Sequence, residues 1–137
     1  MTRLSARQTL LLVLLPLLAT FAGQRLYLHL VGVHHVRANG LIIHHLFFGV
    51  AMVIPAAFVL AFQPRHRLVA ILSRIVLGIG AAMVLDEIVY LVATQASDGD
   101  YVSALSLRGA AIFISLAVFL LLALFRLHCK NENSGAE

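Results

Sequence analysis

Charge is what this chain has little of. Arg, Lys, Asp and Glu make up 12% of 137 residues against 61% hydrophobic, with a mean hydropathy of +0.98. That balance excludes an ordinary soluble domain and points to a membrane protein with room for one small domain. A single cysteine, Cys129, excludes an intrachain disulfide, and its place near the chain end says little about redox compartment. There is no low-complexity tract, and no internal repeat beyond the alternation of apolar runs and short connections. Acids are the scarcest charge, six against ten Arg and Lys, which leaves a net charge of +4 and a pI near 10. The basic residues are scattered at the ends of apolar runs, so they read as topology signals and not as a nucleic-acid patch. The expected partner is the lipid bilayer, with a homo-oligomer or a larger membrane complex as further options, and no nucleic acid.

Four apolar runs are present, at residues 9–30, 40–62, 68–94 and 104–127, followed by a polar tail at 128–137. They predict an all-α fold, a four-helix integral membrane bundle forming a single domain over 1–137. The first run follows Arg3 and Arg7 and precedes the small residues Ala22 and Gly23, a pattern shared with cleaved signal peptides. An uncleaved helix is the favoured reading, because apolar residues continue through Leu26, Leu28 and Leu30. Pro16 lies within this run, where neighbouring helices tolerate a kink. Near its far end, Arg25 and His29 stand four apart on one face.

Residues 31–39 read as the first connection, 63–67 (QPRHR) as a tight turn whose Pro64 stops a helix, and 95–103 as the one acidic connection. Four spans put both termini on one side. Arg3, Arg7, Arg65, Arg67, Arg126 and Lys130 share that side, while Arg37, Asp98 and Asp100 lie opposite, so the termini are expected to be cytoplasmic.

Two pairs of ionisable residues stand out against this apolar background. His44 and His45 open the second run, and Asp86 and Glu87 lie near the end of the third. Such residues are costly in a spanning segment, usually face a protein interior or cavity, and usually serve a function. Counted from Leu68, Asp86 is about 27 Å along a helix rising about 1.5 Å per residue, within a hydrocarbon layer about 30 Å thick. Counted from Gly40, His44 is about 6 Å deep. Both pairs therefore fall in the outer leaflet, at a depth shared with Arg25, His29 and Arg108.

Helical spacing places His45 on a face with Gly49, Met52 and Ala56, Asp86 with Gly78 and Ala82, and Glu87 with Gly80 and Met83. Small residues let membrane helices approach closely. Adjacent residues diverge by about 100° on a helix, so each pair straddles a seam and faces two neighbours. The spacing predicts that His44 or His45 meets Asp86 or Glu87, with Tyr90 one turn beyond both acids and within reach of either.

Imidazole and carboxylate together form the donor set of zinc, iron or manganese, and helical bundles build such centres from inward-facing groups. No HExxH, HxxxH or ExxH pattern occurs in the two spans, so His44, His45, Asp86 and Glu87 read equally well as a metal site or as hydrogen-bonded glue between helices. His34 and His35 read as solvated interfacial histidines, with the alternative that they complete a coordination shell. A b-type haem held by His29 with His44 or His45 is a further option. Arg108 is expected to snorkel to the outer interface or to pair with an acid.

The blocks GLIIHHLFFG (40–49), GIGAAMVLDEIVYLVAT (78–94) and DGDYVSALSLRGA (98–110) together resemble a family of small, uncharacterised prokaryotic membrane proteins. In that family an HH block followed by glycine is joined to a glycine-rich helix ending in DE, and then to a Tyr/Ser-containing loop. Many of its members carry a further histidine two residues before the HH pair, where this chain has Ile42. The resemblance implies a bacterial inner membrane and a shared site at His44, His45, Asp86 and Glu87.

Two functional readings follow. In one, the protein is a metal-binding membrane protein or metalloenzyme open to the periplasm, with Glu87 or Asp86 as catalytic base toward a lipid or small molecule. In the other it is a non-enzymatic small subunit or a proton- or ion-handling module, in which the same residues pair or relay protons.

Overall fold

The computed structural model describes residues 4–32, 36–38, 41–95 and 97–134. The fold is helical, and three of its helices are long and apolar enough to cross a membrane: α1 (Ala6–Val31), α3 (Arg67–Ala93) and α5 (Ala104–Ser134), the last by its stretch Ala104–Asn131. A shorter apolar helix, α2 (His45–Ala61), has 17 residues, about 25 Å of rise at about 1.5 Å per residue. A single-turn helix, α4 (Asp98–Tyr101), lies in the acidic connection before α5.

The second run is helical over less of its length than the sequence predicts. Val36–Ala38 (β1) and Leu41–Ile43 (β2) pair antiparallel with Ala38 opposite Leu41, and the helix starts only at His45. Between the paired ends the sequence reads Asn39-Gly40, the dipeptide favoured in two-residue hairpin turns.

Helix ends follow local chemistry. Ser5 caps α1 in a reciprocal box with Gln8, and Gly32 closes it at φ 91°, a conformation that suits a residue without a Cβ. Between α2 and α3 the chain turns through Gln63 at φ 49°, just ahead of Pro64.

Helix α3 is the hub, packing against α1, α2 and α5. It can do so because its faces carry glycine where backbones meet. A methyl group on Gly49 of α2 would fall 2.7 Å from the Gly80 carbonyl oxygen, and one on Gly80 would fall 2.7 Å from that of Gly49. Gly78 lies in the same way against the Val13 carbonyl of α1, and Gly109 of α5 against the Val89 side chain. Leu17, Ala82 and Ile114 form the buried core, with Phe21, Leu85 and Val118 packed around it. The outer faces, including Leu15, Phe58, Ile112 and Phe119, are apolar and exposed, as lipid contact requires.

Candidate functional site

The hub helix brings its two acids to the end of the bundle where α2 begins. Asp86 is fully buried and Glu87 is 2% exposed. Being adjacent, they diverge around α3 and serve different neighbours.

Asp86 faces α1, α4 and α5. Arg25 Nε donates to Asp86 Oδ1 at 2.5 Å, and the Tyr101 hydroxyl donates to Oδ2 at 2.7 Å. The same guanidinium donates to the backbone carbonyls of Tyr101 and Asp86, each at 3.2 Å, and to the Ser106 hydroxyl at 3.2 Å. One side chain of α1 thus ties α3, α4 and α5 together. Charge-assisted bonds of this kind are the strong ones in a low-dielectric setting.

Glu87 faces α2. Its Oε1 lies 2.6 Å from His44 Nδ1, and its Oε2 accepts from the Leu46 backbone N–H at 2.6 Å. His44 is the N-cap of α2 but makes no side-chain capping bond, so a carboxylate from α3 satisfies one of the free N–H groups of the first turn. A negative charge there also complements the positive end of the helix dipole.

His45 lies between the two acids. Its Nδ1 is 3.2 Å from Glu87 Oε2, its Nε2 is 3.5 Å from Asp86 Oδ2, and its Nε2 is 3.0 Å from the Tyr101 hydroxyl oxygen. The His44 and His45 side chains are 19% and 24% exposed, so the cluster is open on the histidine side and closed behind.

Tyr101 reaches the site because α4 is a capped turn. The Ser97 hydroxyl accepts from the Asp100 N–H at 3.3 Å and donates to Asp100 Oδ2 at 2.7 Å. The Ser97 hydroxyl and backbone N–H hold the exposed Asp100 carboxyl below its ordinary value. At Tyr101, burial first, and then the Asp86 and Glu87 charges, push the phenol far above its ordinary value, so it stays a donor. Tyr90, 1% exposed, packs edge-on against Tyr101 at 4.7 Å between ring centroids and lies 6.1 Å from the His44 ring.

The expected meeting of the histidine and acid pairs is therefore present, and Arg25 joins it. His29 and Arg108 are exposed and make no bond to the cluster among the described residues. His34 and His35 lie outside the described residues. Sequence reasoning missed Tyr101 and Ser106, and the signal available was the Ser97-x-x-Asp100 capping pattern just before Tyr101. Among the described residues, no group of three or more His, Cys, Asp or Glu side chains is arranged as a metal shell. No family model, curated protein or solved structure matches the chain.

Proposed function

We propose that this is a four-span protein of a bacterial inner membrane with both termini cytoplasmic, and that its outer cluster is a non-enzymatic, proton-holding site. The observation that carries this reading is the placement of the two nitrogens of His45. The Tyr101 hydroxyl donates to Asp86, so toward His45 its oxygen is an acceptor, 3.0 Å from Nε2 and 3.4 Å from Nδ1, while Nδ1 also lies 3.2 Å from the Glu87 carboxylate. Both ring nitrogens therefore face oxygens able to accept, so a proton delivered to this imidazole finds a partner on either side.

Charge counting agrees. Arg25 and Asp86 cancel, which leaves Glu87, with His44 and His45 beside it, as the place where an added proton would be taken up. The ionisable groups around that trio are Arg25 of α1, Asp86 of α3 and Tyr101 of α4, with the Tyr90 ring against His44, while α5 contributes the neutral Ser106.

The test is melting temperature against pH for the detergent-purified protein, with elemental analysis alongside. A folded state that binds one more proton than the unfolded chain loses stability as pH rises. Wild type is expected to show that slope, Glu87→Gln to flatten it, and chelator to move neither. A flat wild-type profile would sink the reading.

A second reading replaces the proton by zinc, iron or manganese. It is favoured by the bracketing of one imidazole between two carboxylates, at 3.2 and 3.5 Å. Stoichiometric metal, with a chelator-sensitive melting temperature lost in His45→Ala, would establish it in place of the first. On either reading every oxygen of Asp86 and Glu87 already faces a donor or an imidazole, which favours the proton.

A further inference from the structure

At the opposite end of α3 stands a cation with no acid. Arg74 lies seven residues inside the helix that begins at Arg67, on the stripe that runs through Ala70 to Gly78. Among the described residues no carboxylate pairs with it: Asp86 and Glu87 are engaged at the far end and Asp100 is bonded to Ser97. Its one bond is Nη1 donating to the Ala70 carbonyl at 2.7 Å, which turns the side chain back toward the start of the helix. A guanidinium carries five N–H donors, so most of its capacity points elsewhere. Arg67 occupies the same face two turns earlier, about 10 Å away along the axis.

Other cations gather at this end. Helices α1 and α3 meet at Val13 and Gly78, and both pairs Val13/Gly78 and Arg25/Asp86 advance together, so the helices run parallel and Arg7 lies at the end of Arg67 and Arg74. Helix α5 runs antiparallel, and from Gly109 against Val89 it reaches Arg126 at about the level of Leu72.

We propose that Arg74 and Arg67 form a seat for the phosphate of an anionic phospholipid in the leaflet on the side of the termini. Among the described residues none supplies the counter-charge that such a phosphate would bring. On α3 the half-buried Ile71 adjoins the Arg67 and Arg74 stripe, while the exposed Leu68, Val69 and Leu72 lie around the far side of the helix, where acyl chains contact it. Arg forms bidentate bonds with phosphate, and basic groups between helices near the interface suit such headgroups. The proposal rests on the membrane reading but not on the role of the outer cluster.

The experiment compares discs of phosphatidylcholine alone with the same discs containing phosphatidylglycerol, reading melting temperature and, by native mass spectrometry, retained lipid. Wild type is expected to retain phosphatidylglycerol in preference and to melt higher in its presence. Arg74→Leu and Arg74→Gln should weaken that retention about 10- to 100-fold, the scale of charged hydrogen bonds. Arg74→Leu should also be at least as stable as wild type in phosphatidylcholine, because it removes a costly charge. Arg108→Gln, an exposed cation at the other end, should change nothing. The wild-type preference is read independently of any variant, and its absence overturns the proposal. So would full preference in both Arg74 variants, or an equal rise in melting temperature on adding inorganic phosphate to phosphatidylcholine discs. Failure to enter either disc would instead sink the membrane reading.

Discussion

Replacing Arg25 by Met tests the outer cluster most directly, because it removes the cation and keeps much of the side-chain bulk. Asp86 is fully buried, so its charge cannot turn to water when the guanidinium is gone. Polar side-chain bonds within membranes average about 0.6 kcal/mol, so the four Arg25 bonds of 3.2 Å or shorter account for about 2–3 kcal/mol. Leaving the carboxylate buried and unpaired brings the loss to about 3–5 kcal/mol. The decisive comparison is the double variant Arg25→Met with Asp86→Asn, in which no charge is stranded. It should recover about 1–3 kcal/mol relative to the sum of the single variants, the coupling expected of residues in one network. Reversible unfolding in mixed micelles, followed by circular dichroism, measures all four corners of the cycle. Additive single losses would refute the claim that Arg25 acts by compensating Asp86.

Three further outcomes follow from particular contacts. Gly80→Leu should loosen α2 from α3 at a cost of about 1–3 kcal/mol or more, since its new Cβ meets the Gly49 carbonyl and not a flexible side chain; Gly23→Leu, with open space around it, should be near neutral in the same unfolding assay. Tyr101, held protonated by burial and the neighbouring carboxylates, should add nothing to tyrosinate absorbance at about pH 11, so wild type and Tyr101→Phe should overlay there; its bond to Asp86, present below the ordinary phenol value of about 10, should persist through it. In a Cys129→Ser background, an impermeant thiol reagent should label Gln95→Cys in intact cells and spare Arg65→Cys, and the reverse pattern would invert the topology.

The depth match and the small-residue faces made the meeting of the two pairs readable in the sequence, because helical rise and periodicity fix axial level and face. The start of α2 was not readable in the same way. Leu41, Ile42 and Ile43 are as apolar as a span, and a short apolar run carries no period that separates strand from helix. Asn39-Gly40 was the available counter-signal. The choice of Arg25 over His29 is equally a matter of packing. Each step of four residues drifts about 40° around a helix, so a line continued from Leu17 through Phe21 to Arg25 has turned off the seam by His29. Tyr101 and Ser106 enter by the return of a connection onto the bundle, which periodicity within spans does not encode.

On the proposed proton-holding reading, the placement of the cluster also decides from which side a proton would exchange. Arg25, His44, His45, Asp86, Glu87 and Tyr101 all sit at one end of the helices, with the exposed histidine edges on the side away from the termini. Along α3 toward the other end, the residues behind them are Ala82, Gly80 and Gly78, packed without gaps that would admit a Cβ. None of these carries a donor or acceptor side chain, so there is no relay through the bundle along this path. A proton-holding site so placed should follow the pH of one compartment only. The chain has no tryptophan, so tyrosine emission reports directly, and the part from Tyr101 is isolated by subtracting Tyr101→Phe. In tight, oriented proteoliposomes, a pH jump on the side opposite the termini should change that emission at once. A jump on the side of the termini should change it only as fast as the vesicles leak. An equally prompt response from both sides would mean that protons cross the bundle, and would replace a one-sided site by a conducting one.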